Sequence, residues 1–208
     1  MPKHTHLEVD EIVQNGQAFN LRRRMAMPDI RSSVRGLFED LRVAKIDYCL
    51  VGGVALLAYI EGRNTQDIDL IVEPKQMGLL AWQASVRDRD FGTATYHGVQ
   101  VDLLLTTNRL FAHVRRHERT EIVFENLTVP CATPAGLVLL KLYALPSLYR
   151  QGNKARAALY ETDILMLLQG TSIDTKPLLE LLRQHLAAHD VDELQRILDE
   201  LSARRRFS

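Results

Sequence analysis

Two short stretches of this chain contain residue types that can bind a metal ion and a phosphate group. Gly52-Gly53 ends an apolar run, and Asp67-Ile-Asp69 begins the next one, with thirteen residues between Gly53 and Asp67. Carboxylates are the hard oxygen ligands that Mg²⁺ prefers in proteins. Glycine has no Cβ, so a phosphate can approach the main-chain N–H groups of a strand-to-helix turn closely. The spacing allows a loop, a helix and a second loop, so both stretches fit one site.

The two aspartates are the less ordinary part of this pattern. Side chains alternate faces along a strand, so Asp67 and Asp69 point the same way while Ile68 and Leu70 point into the core. Two like charges on one face repel each other unless something compensates for them, and a divalent cation can do so. A simple turn at the glycines and a solvated strand edge at the aspartates are the alternatives.

The elements that must position these residues follow from the hydrophobic pattern. Apolar residues recur at helical spacing over 29–44, and a short run at 48–51 is apolar enough for a strand buried on both faces. We also expect helices at 54–60 and 75–88, strands at 67–72 and 99–105, and weaker strands near 93–96 and 121–129. This half of the chain is therefore predicted to be a mixed α/β unit.

The remainder of the chain has a helical composition. Thr133-Pro134 is a good helix start, and the apolar helix that follows is expected to end at Pro146. Further helices fit 154–169, 174–188 and 190–203, the last beginning with Asp190 as a capping residue. We predict an N-terminal arm at 1–28, an α/β domain at 29–130 and a helical domain at 131–208.

Composition excludes several broad classes. The chain has 208 residues, 46% of them hydrophobic, and its 26 basic and 26 acidic residues balance to a net charge of zero. No overall field therefore favours a nucleic acid or a membrane surface. The two cysteines are too few for a disulfide framework, and neither a secretion signal nor a membrane span is evident. We expect a cytoplasmic protein with reduced thiols and no membrane partner.

The two stretches together resemble a known superfamily. A Gly-Gly pair, a short helix and then Arg-x-Thr-x-Asp-hydrophobic-Asp is similar to nucleotidyltransferases of the DNA polymerase β type, and most similar to bacterial AbiEii-type members. The matching positions are Gly52, Gly53, Arg63, Thr65, Asp67 and Asp69. The resemblance implies a mixed sheet with flanking helices, followed by an all-helical C-terminal half. It also implies transfer of a nucleoside monophosphate from an NTP, dependent on Mg²⁺ or alternatively Mn²⁺.

The resemblance implies a third carboxylate on a later strand, and Asp102 is the candidate. In this strand Val101 and Leu103 would face the core while Asp102 faces the other side. Its role would be to bind the metal or to accept a proton. A solvent-facing residue on a half-exposed strand is the alternative.

AbiEii-type proteins also carry a lysine in an apolar helix after the sheet and a later acidic residue. Lys141 is the only charge on such a helix here, and Asp163 lies in a later apolar helical run. Lys141 would contact triphosphate oxygens, with Asp163 orienting it. A lysine that reaches solvent, or a purely structural ion pair, is the alternative.

The sequence also departs from the family. Many members have serine where Gly53 stands, and AbiEii-like members commonly have a small polar residue where Val54 stands. Only the backbone could then contact phosphate at Gly53, while the carboxylates are unaffected.

The acceptor of the transferred group is not fixed by the sequence. The resemblance allows a tRNA end, a protein hydroxyl or a small molecule, and AbiEii-like members often act as toxins, which implies a cognate antitoxin. The basic clusters Arg22-Arg23-Arg24 and Arg204-Arg205-Arg206 could contact RNA phosphates. Arg150, Lys154 and Arg156 could line an acceptor or nucleotide channel, with solvated helix ends as the alternative. The alternative function is a non-catalytic nucleotide- or RNA-binding module. A purely structural protein would leave the same-face aspartates unexplained.

Overall fold

The structure, a computed structural model, describes residues 30–61, 65, 67–79 and 82–205. The expected N-terminal arm at 1–28 lies outside the described residues. The chain separates into two compact units, Met1–Ala132 and Thr133–Ser208, which we name the sheet unit and the helical unit. The break falls two residues after the boundary expected at 130/131.

The sheet unit contains one seven-stranded mixed sheet with the strand order β3-β4-β5-β2-β1-β7-β6. The strands are β1 (Tyr48–Val51), β2 (Ile68–Val72), β3 (Gln83–Val86), β4 (Phe91–Tyr96), β5 (Val99–Leu105), β6 (Arg119–Phe124) and β7 (Leu127–Ala132). The pairs β2–β5 and β1–β7 are parallel, and the other neighbours are antiparallel. The expected mixed sheet is therefore confirmed.

Among the described residues, three α-helices accompany the sheet: α1 (Ile30–Val43), α2 (Gly52–Leu56) and α3 (Arg109–His117). The apolar face of α1 is buried, and Phe38 stacks on Tyr48 of β1 with ring centroids 6.1 Å apart. All four residues of β1 are buried, as its apolar run predicts. The centre of the sheet is thus held between apolar side chains, which makes it a rigid base for the residues at its strand ends.

The helix expected at 75–88 is wrong. A 3₁₀ helix covers Pro74–Leu79, and β3 then pairs with β4 as an edge strand. A tight turn joins the two strands, because the Asp88 carboxylate accepts hydrogen bonds from the backbone N–H groups of Asp90 and Phe91 at 2.8 and 3.0 Å. This aspartate turn is a local signal that outweighs the helical spacing of the apolar residues.

The other helices of the sheet unit also differ from expectation. The helix expected at 54–60 instead begins at Gly52 and ends at Leu56, with turns following it. Helix α3 was not predicted. It begins at Asn108, whose side chain accepts hydrogen bonds from the N–H groups of Leu110 and Phe111, and its last turn carries three basic residues, which suit a helix C-terminus.

The helical unit contains four helices among its described residues: α4 (Pro134–Arg150), α5 (Lys154–Gly170), α6 (Lys176–Leu182) and α7 (Ala188–Arg205). The expected start of α4 is confirmed, since the Thr133 hydroxyl accepts a hydrogen bond from Gly136 N–H at 3.1 Å. No helix in the described part of the chain combines the length and the apolar character that crossing a membrane requires.

Three expectations for these helices are wrong. Helix α4 continues through Pro146 to Arg150, because Leu145 and Pro146 are both buried and their packing offsets the lost backbone hydrogen bond. Helix α6 ends at Leu182 rather than near 188. Asp190 lies within the first turn of α7 instead of capping it, and its carboxylate accepts a hydrogen bond from Arg150 at 2.8 Å.

Candidate active site

Two of the predicted carboxylates come together on the sheet. Asp69 of β2 and Asp102 of β5 are direct partners in the parallel ladder. Partner residues on neighbouring strands point to the same face, with their strands about 4.8 Å apart. Both residues are partly exposed, while the neighbours Ile68, Leu70 and Val101 are buried on the other face or in the core. The strand register therefore places two carboxylates side by side on an accessible face.

Asp67 lies one residue before β2 and is exposed. Its backbone carbonyl accepts a hydrogen bond from the hydroxyl of Thr65 at 3.3 Å. Asp67 is thus outside the strand on which it was predicted, at the end of β2 that carries Asp69.

The glycine pair lies against this same segment. A Cβ built on Gly52 would stand 1.9 Å from Oδ2 of Asp69, and one built on Gly53 would stand 2.2 Å from Oγ1 of Thr65. Gly52 also has a φ of +66°, a conformation that L side chains rarely adopt. The Gly-Gly pair is therefore required by the close approach of the aspartate segment, which joins the two sequence stretches in one place.

This contact changes the expected role of the glycines. With only five residues in α2, a strong positive helix end at Gly52-Gly53 is not formed. The structure gives the glycines a steric role toward Asp69 and Thr65. Their contact with a phosphate remains a prediction.

Tyr59 ties the segment after α2 to β7, the strand that neighbours β1. Its hydroxyl donates a hydrogen bond to the carbonyl oxygen of Ala132, at the end of β7, at 2.9 Å. Burial raises the pKa of Tyr59 above its ordinary value of 10.0, and the neighbouring Cys131 adds to this effect. The hydroxyl therefore stays protonated and keeps donating to the backbone.

Residues that were not predicted surround Asp102. The side-chain amide of Gln100 donates a hydrogen bond to Oδ1 of Asp102 at 2.9 Å. Thr93 of β4 is the ladder partner of Asp102 on its other side. The period-two alternation of β5 could have found Gln100, because it stands two residues before Asp102; only the β4 register reveals Thr93.

The donor set suits a magnesium ion. Mg²⁺ is commonly held by one or two carboxylates together with water and substrate phosphates. Asp69 and Asp102 supply such a pair, and Asp67 stands at the adjacent strand end. The described residues contain no group of three or more His, Cys, Asp or Glu side chains that could hold a metal. The protein thus offers a two-carboxylate set that a nucleotide could complete.

Lys141 and Asp163 form a buried ion pair within the helical unit. Nζ of Lys141 lies 2.8 Å from Oδ2 of Asp163, with the side chains 8% and 1% exposed. The ammonium also lies over the ring of Tyr160, 4.1 Å from its centroid. The pairing suggested by the sequence is therefore present.

The remaining predicted residues lie outside the described part of the chain or in the helical unit. Arg63 lies outside the described residues, as do the first basic cluster and Arg206. In the middle cluster, Arg150 pairs with Asp190, and the guanidinium of Arg156 lies 5.7 Å from the ring of Tyr160. These two arginines thus have contacts within the helical unit.

Solved structures share this architecture. An antigenic nucleotidyltransferase-like protein from Paracoccidioides brasiliensis matches with a TM-score of 0.59 and 17% identity, over 85% of this chain and 91% of that one. ANT(2")-Ia, solved in complex with adenylyl-2"-tobramycin, matches with a TM-score of 0.51 and 14% identity, over 87% of this chain and 100% of that one. The chain has a nucleotidyltransferase fold.

The likeness is one of fold, because the sequence identities are low. No protein-family model and no curated protein matches the chain. The comparison thus confirms the expected fold. The closer resemblance to AbiEii-type members remains a prediction.

Proposed function

We propose that this protein is a nucleotidyltransferase, which moves a nucleoside monophosphate from an NTP to an acceptor hydroxyl. The observation that carries the proposal is the pairing of Asp69 with Asp102 on neighbouring strands, with Gly52 held against the Asp69 carboxylate. A fold shared with nucleotidyltransferases supports it. A sheet without this chemistry would have no need for two adjacent carboxylates on one face.

The carboxylates have distinct tasks in this proposal. Asp69 and Asp102 would hold Mg²⁺, or alternatively Mn²⁺, with Asp67 at the adjacent strand end as the proposed third ligand. The ion, when bound, would supply positive charge to the triphosphate. Asp102 accepts the proton of the attacking hydroxyl. The hydroxyl oxygen forms a bond to the α-phosphorus, the bond from that phosphorus to the α,β-bridging oxygen breaks, and pyrophosphate leaves with the electron pair.

The neighbouring residues bind and orient the nucleotide. The backbone at Gly52 and Gly53 would approach the phosphates, and Arg63 would add positive charge. Thr65, which donates to the Asp67 carbonyl, would hold the loop that carries that aspartate. Lys141 and Asp163 are proposed to assist the same reaction, as the family resemblance implies.

The acceptor classes implied by the resemblance are tRNA, a protein hydroxyl and a small molecule, and a toxin role would add a cognate antitoxin. Growth of cells expressing the wild type or Asp69→Asn tests the toxin role. Slower growth with the wild type alone would support it, and equal growth would contradict it.

The proposal is tested with α-labelled NTPs, Mg²⁺ and a mixture of acceptors that includes total tRNA and the protein itself. We expect label transfer by the wild type and a loss of at least about 100-fold in Asp69→Asn, since carboxylates at such sites act mainly by positioning charge. Asp192→Asn is the matched control, because Asp192 is an exposed residue of α7. Activity of Asp69→Asn within a few-fold of the control would exclude the proposed site.

Nucleotide binding separates the enzyme from the binding module. A wild type that binds an NTP in the presence of Mg²⁺ but transfers no label to any acceptor would favour the non-catalytic module. Calorimetry with each NTP supplies this measurement, with Asp69→Asn expected to weaken the binding.

A further inference from the structure

The sheet face beside the carboxylates carries a group of uncharged polar side chains. Ser85 of β3 is the ladder partner of Thr93, and Thr93 is the partner of Asp102. In the adjacent row, Thr95 of β4 is the partner of Gln100. We name Ser85, Thr93, Thr95 and Gln100 the polar platform.

The ladder sets the position of the polar platform relative to the rest of the site. Across the sheet the strands run from β3 through β4, β5 and β2 to β1, which ends at the glycine pair. Ser85, Thr93, Asp102 and Asp69 follow one another in a single row, with about 4.8 Å between neighbouring strands. The glycines and the polar platform therefore lie on opposite sides of the two carboxylates.

This order of residues assigns the two substrates of the proposed reaction to opposite sides of the carboxylates. If the triphosphate lies on the glycine side, the acceptor hydroxyl must reach Asp102 from the other side, because attack and departure are roughly in line. The polar platform is what the sheet offers on that side. Ser85, Thr95 and Gln100 are exposed and Thr93 is half-buried, so an acceptor can reach them.

The chemistry of the polar platform favours a particular acceptor. Hydroxyl and amide groups both donate and accept hydrogen bonds, which matches the hydroxyls of a sugar. Binding RNA would need lysines or arginines for the phosphates. Among the strand residues of β3, β4 and β5 on this face there is none, whereas the exposed strand β6 carries both Arg119 and Glu121. If the face of the polar platform were merely solvated, we would expect it to carry charged side chains, as β6 does.

An aromatic side chain borders the polar platform. Phe91 stands two residues before Thr93 on β4, on the same face, and is 40% exposed. Its ring is held by an edge contact with Phe111 of α3, with centroids 5.5 Å apart. Such a fixed, accessible ring can pack against the apolar C–H face of a sugar while the hydroxyls of the sugar bond to the threonines.

We propose that the polar platform binds the acceptor, and that the acceptor is a hydroxyl-rich small molecule of the sugar class. This inference rests on the proposed nucleotidyl transfer. It narrows the acceptor to a small molecule whose hydroxyl is brought to Asp102 by hydrogen bonds to Thr93 and Gln100.

The first experiment compares acceptors. Wild-type protein is incubated with α-labelled NTPs, Mg²⁺ and, separately, glucose, glucosamine, tobramycin or total tRNA. We expect label on at least one of the three sugar compounds. Label on tRNA or on the protein alone would leave the transferase standing and overturn the sugar acceptor.

The second experiment removes hydrogen-bonding groups while keeping side-chain shape. Thr93→Val and Gln100→Met should each raise the KM of the sugar acceptor about five-fold, since each loses one hydrogen bond to the acceptor. Thr93→Val should leave the KM of the NTP unchanged. Thr120→Val, on exposed strand β6, is the matched control and should change neither constant. Equal acceptor KM values in all three variants would overturn the assignment.

Direct measurement of sugar binding tests the polar platform even if no label is transferred. Calorimetric titration of glucosamine and tobramycin, without nucleotide, should show binding that weakens about five-fold in Thr93→Val and not in Thr120→Val. Sugar binding without NTP binding would support the polar platform and count against the transferase. If a sugar is neither labelled by transfer nor bound in the titration, the polar platform is overturned.

Discussion

At the scale of single residues, Gly52 and Asp69 determine each other's surroundings. Gly52 has a left-handed φ, and the Asp69 carboxylate occupies the space that a side chain at position 52 would need. The sequence could indicate that the glycine pair and the aspartates belong together. It could not show that the reason is a direct contact, because that depends on the antiparallel register in which Val51 faces Asp69.

This contact predicts a large effect for Gly52→Ala. The added Cβ would meet the carboxylate and would also force alanine into a left-handed conformation. We expect a loss of about 2–4 kcal/mol in the free energy of unfolding, from overpacking and backbone strain together. Urea denaturation followed by the fluorescence of Trp82, which lies in the same unit, measures this loss.

Two other glycines distinguish the effect of backbone strain from that of steric overlap. Gly152 has a φ of +67° but open space around its Cβ position, so Gly152→Ala should lose only about 1 kcal/mol, measured by circular dichroism. Gly78 has neither feature, so Gly78→Ala should be close to neutral. A Gly52→Ala loss no larger than that of Gly152→Ala would contradict the contact with Asp69.

At the scale of elements, the register between strands decides what the sequence could predict. Alternation within β5 predicts that Asp102 faces away from Val101 and Leu103, and the structure agrees. The adjacency of Asp102 and Asp69 depends on β5 pairing with β2 in parallel, which no local pattern contains. The wrong helix at 75–88 has a related origin, since the Asp88 turn is a local signal but β3 itself forms by pairing with β4.

A network of charges at the other end of β1 and β2 joins three elements. Arg115 of α3 binds Asp47, just before β1, and Glu73, just after β2. Lys75 also bonds to Glu73, and these cations hold the pKa of Glu73 below its ordinary value of 4.5, with the hydrogen bond from Lys75 as the largest cause. The part of this stabilisation that comes from Glu73 is thus expected only while Glu73 is ionised.

Arg115→Met should therefore destabilise the sheet unit in a pH-dependent way. At pH 7 we expect a loss of about 1 kcal/mol, the range of a partly exposed ion pair. Because the pKa of Glu73 is lowered in the folded state, this stabilisation is present above pH 4.5 and is lost as the pH falls through the folded value. Urea unfolding at several pH values, with exposed Arg116→Met as the control, would refute the network if the loss stayed constant.

The buried pair between α4 and α5 gives a prediction for the helical unit. Lys141→Met or Asp163→Asn alone leaves one buried partner unpaired and should lose about 3–5 kcal/mol. The double variant should lose clearly less than the sum of the two, because no buried charge then remains. A complete double-mutant cycle by urea denaturation measures the coupling, and additive losses would show that the two side chains do not depend on each other.

At the scale of the whole molecule, the fold is retained with little sequence identity. The two solved structures share 17% and 14% of their residues with this chain while matching most of its length. What the fold requires is a buried sheet centre and helices with apolar faces, which many sequences can supply. The class of fold was therefore predictable from pattern and motif. The ends of elements, such as α4 continuing through Pro146, depend on packing that the pattern does not show.

The packed centre of the sheet unit leads to a prediction about its two cysteines. Cys49 of β1 and Cys131 of β7 are fully buried on neighbouring strands, and burial raises the pKa of each thiol from 9.0 to about 12. At pH 8 both should remain protonated and unreactive toward a thiol reagent such as DTNB while the unit is folded. In urea, their labelling should appear together with the fluorescence change of Trp82, since all three residues lie in the sheet unit.

The raised pKa values of the two cysteines also predict a fall in the unfolding free energy of the sheet unit at alkaline pH. A raised pKa means that the folded state holds the thiol protons more tightly, so this contribution is present below pH 9 and is lost as the pH rises toward 12. Cys49→Ala and Cys131→Ala should each flatten the fall in unfolding free energy above pH 9, measured by urea titration. If the folded protein were labelled at pH 8 as fast as free glutathione, the sheet centre would open far more readily than its packing implies. An unchanged alkaline slope in both variants would lead to the same conclusion.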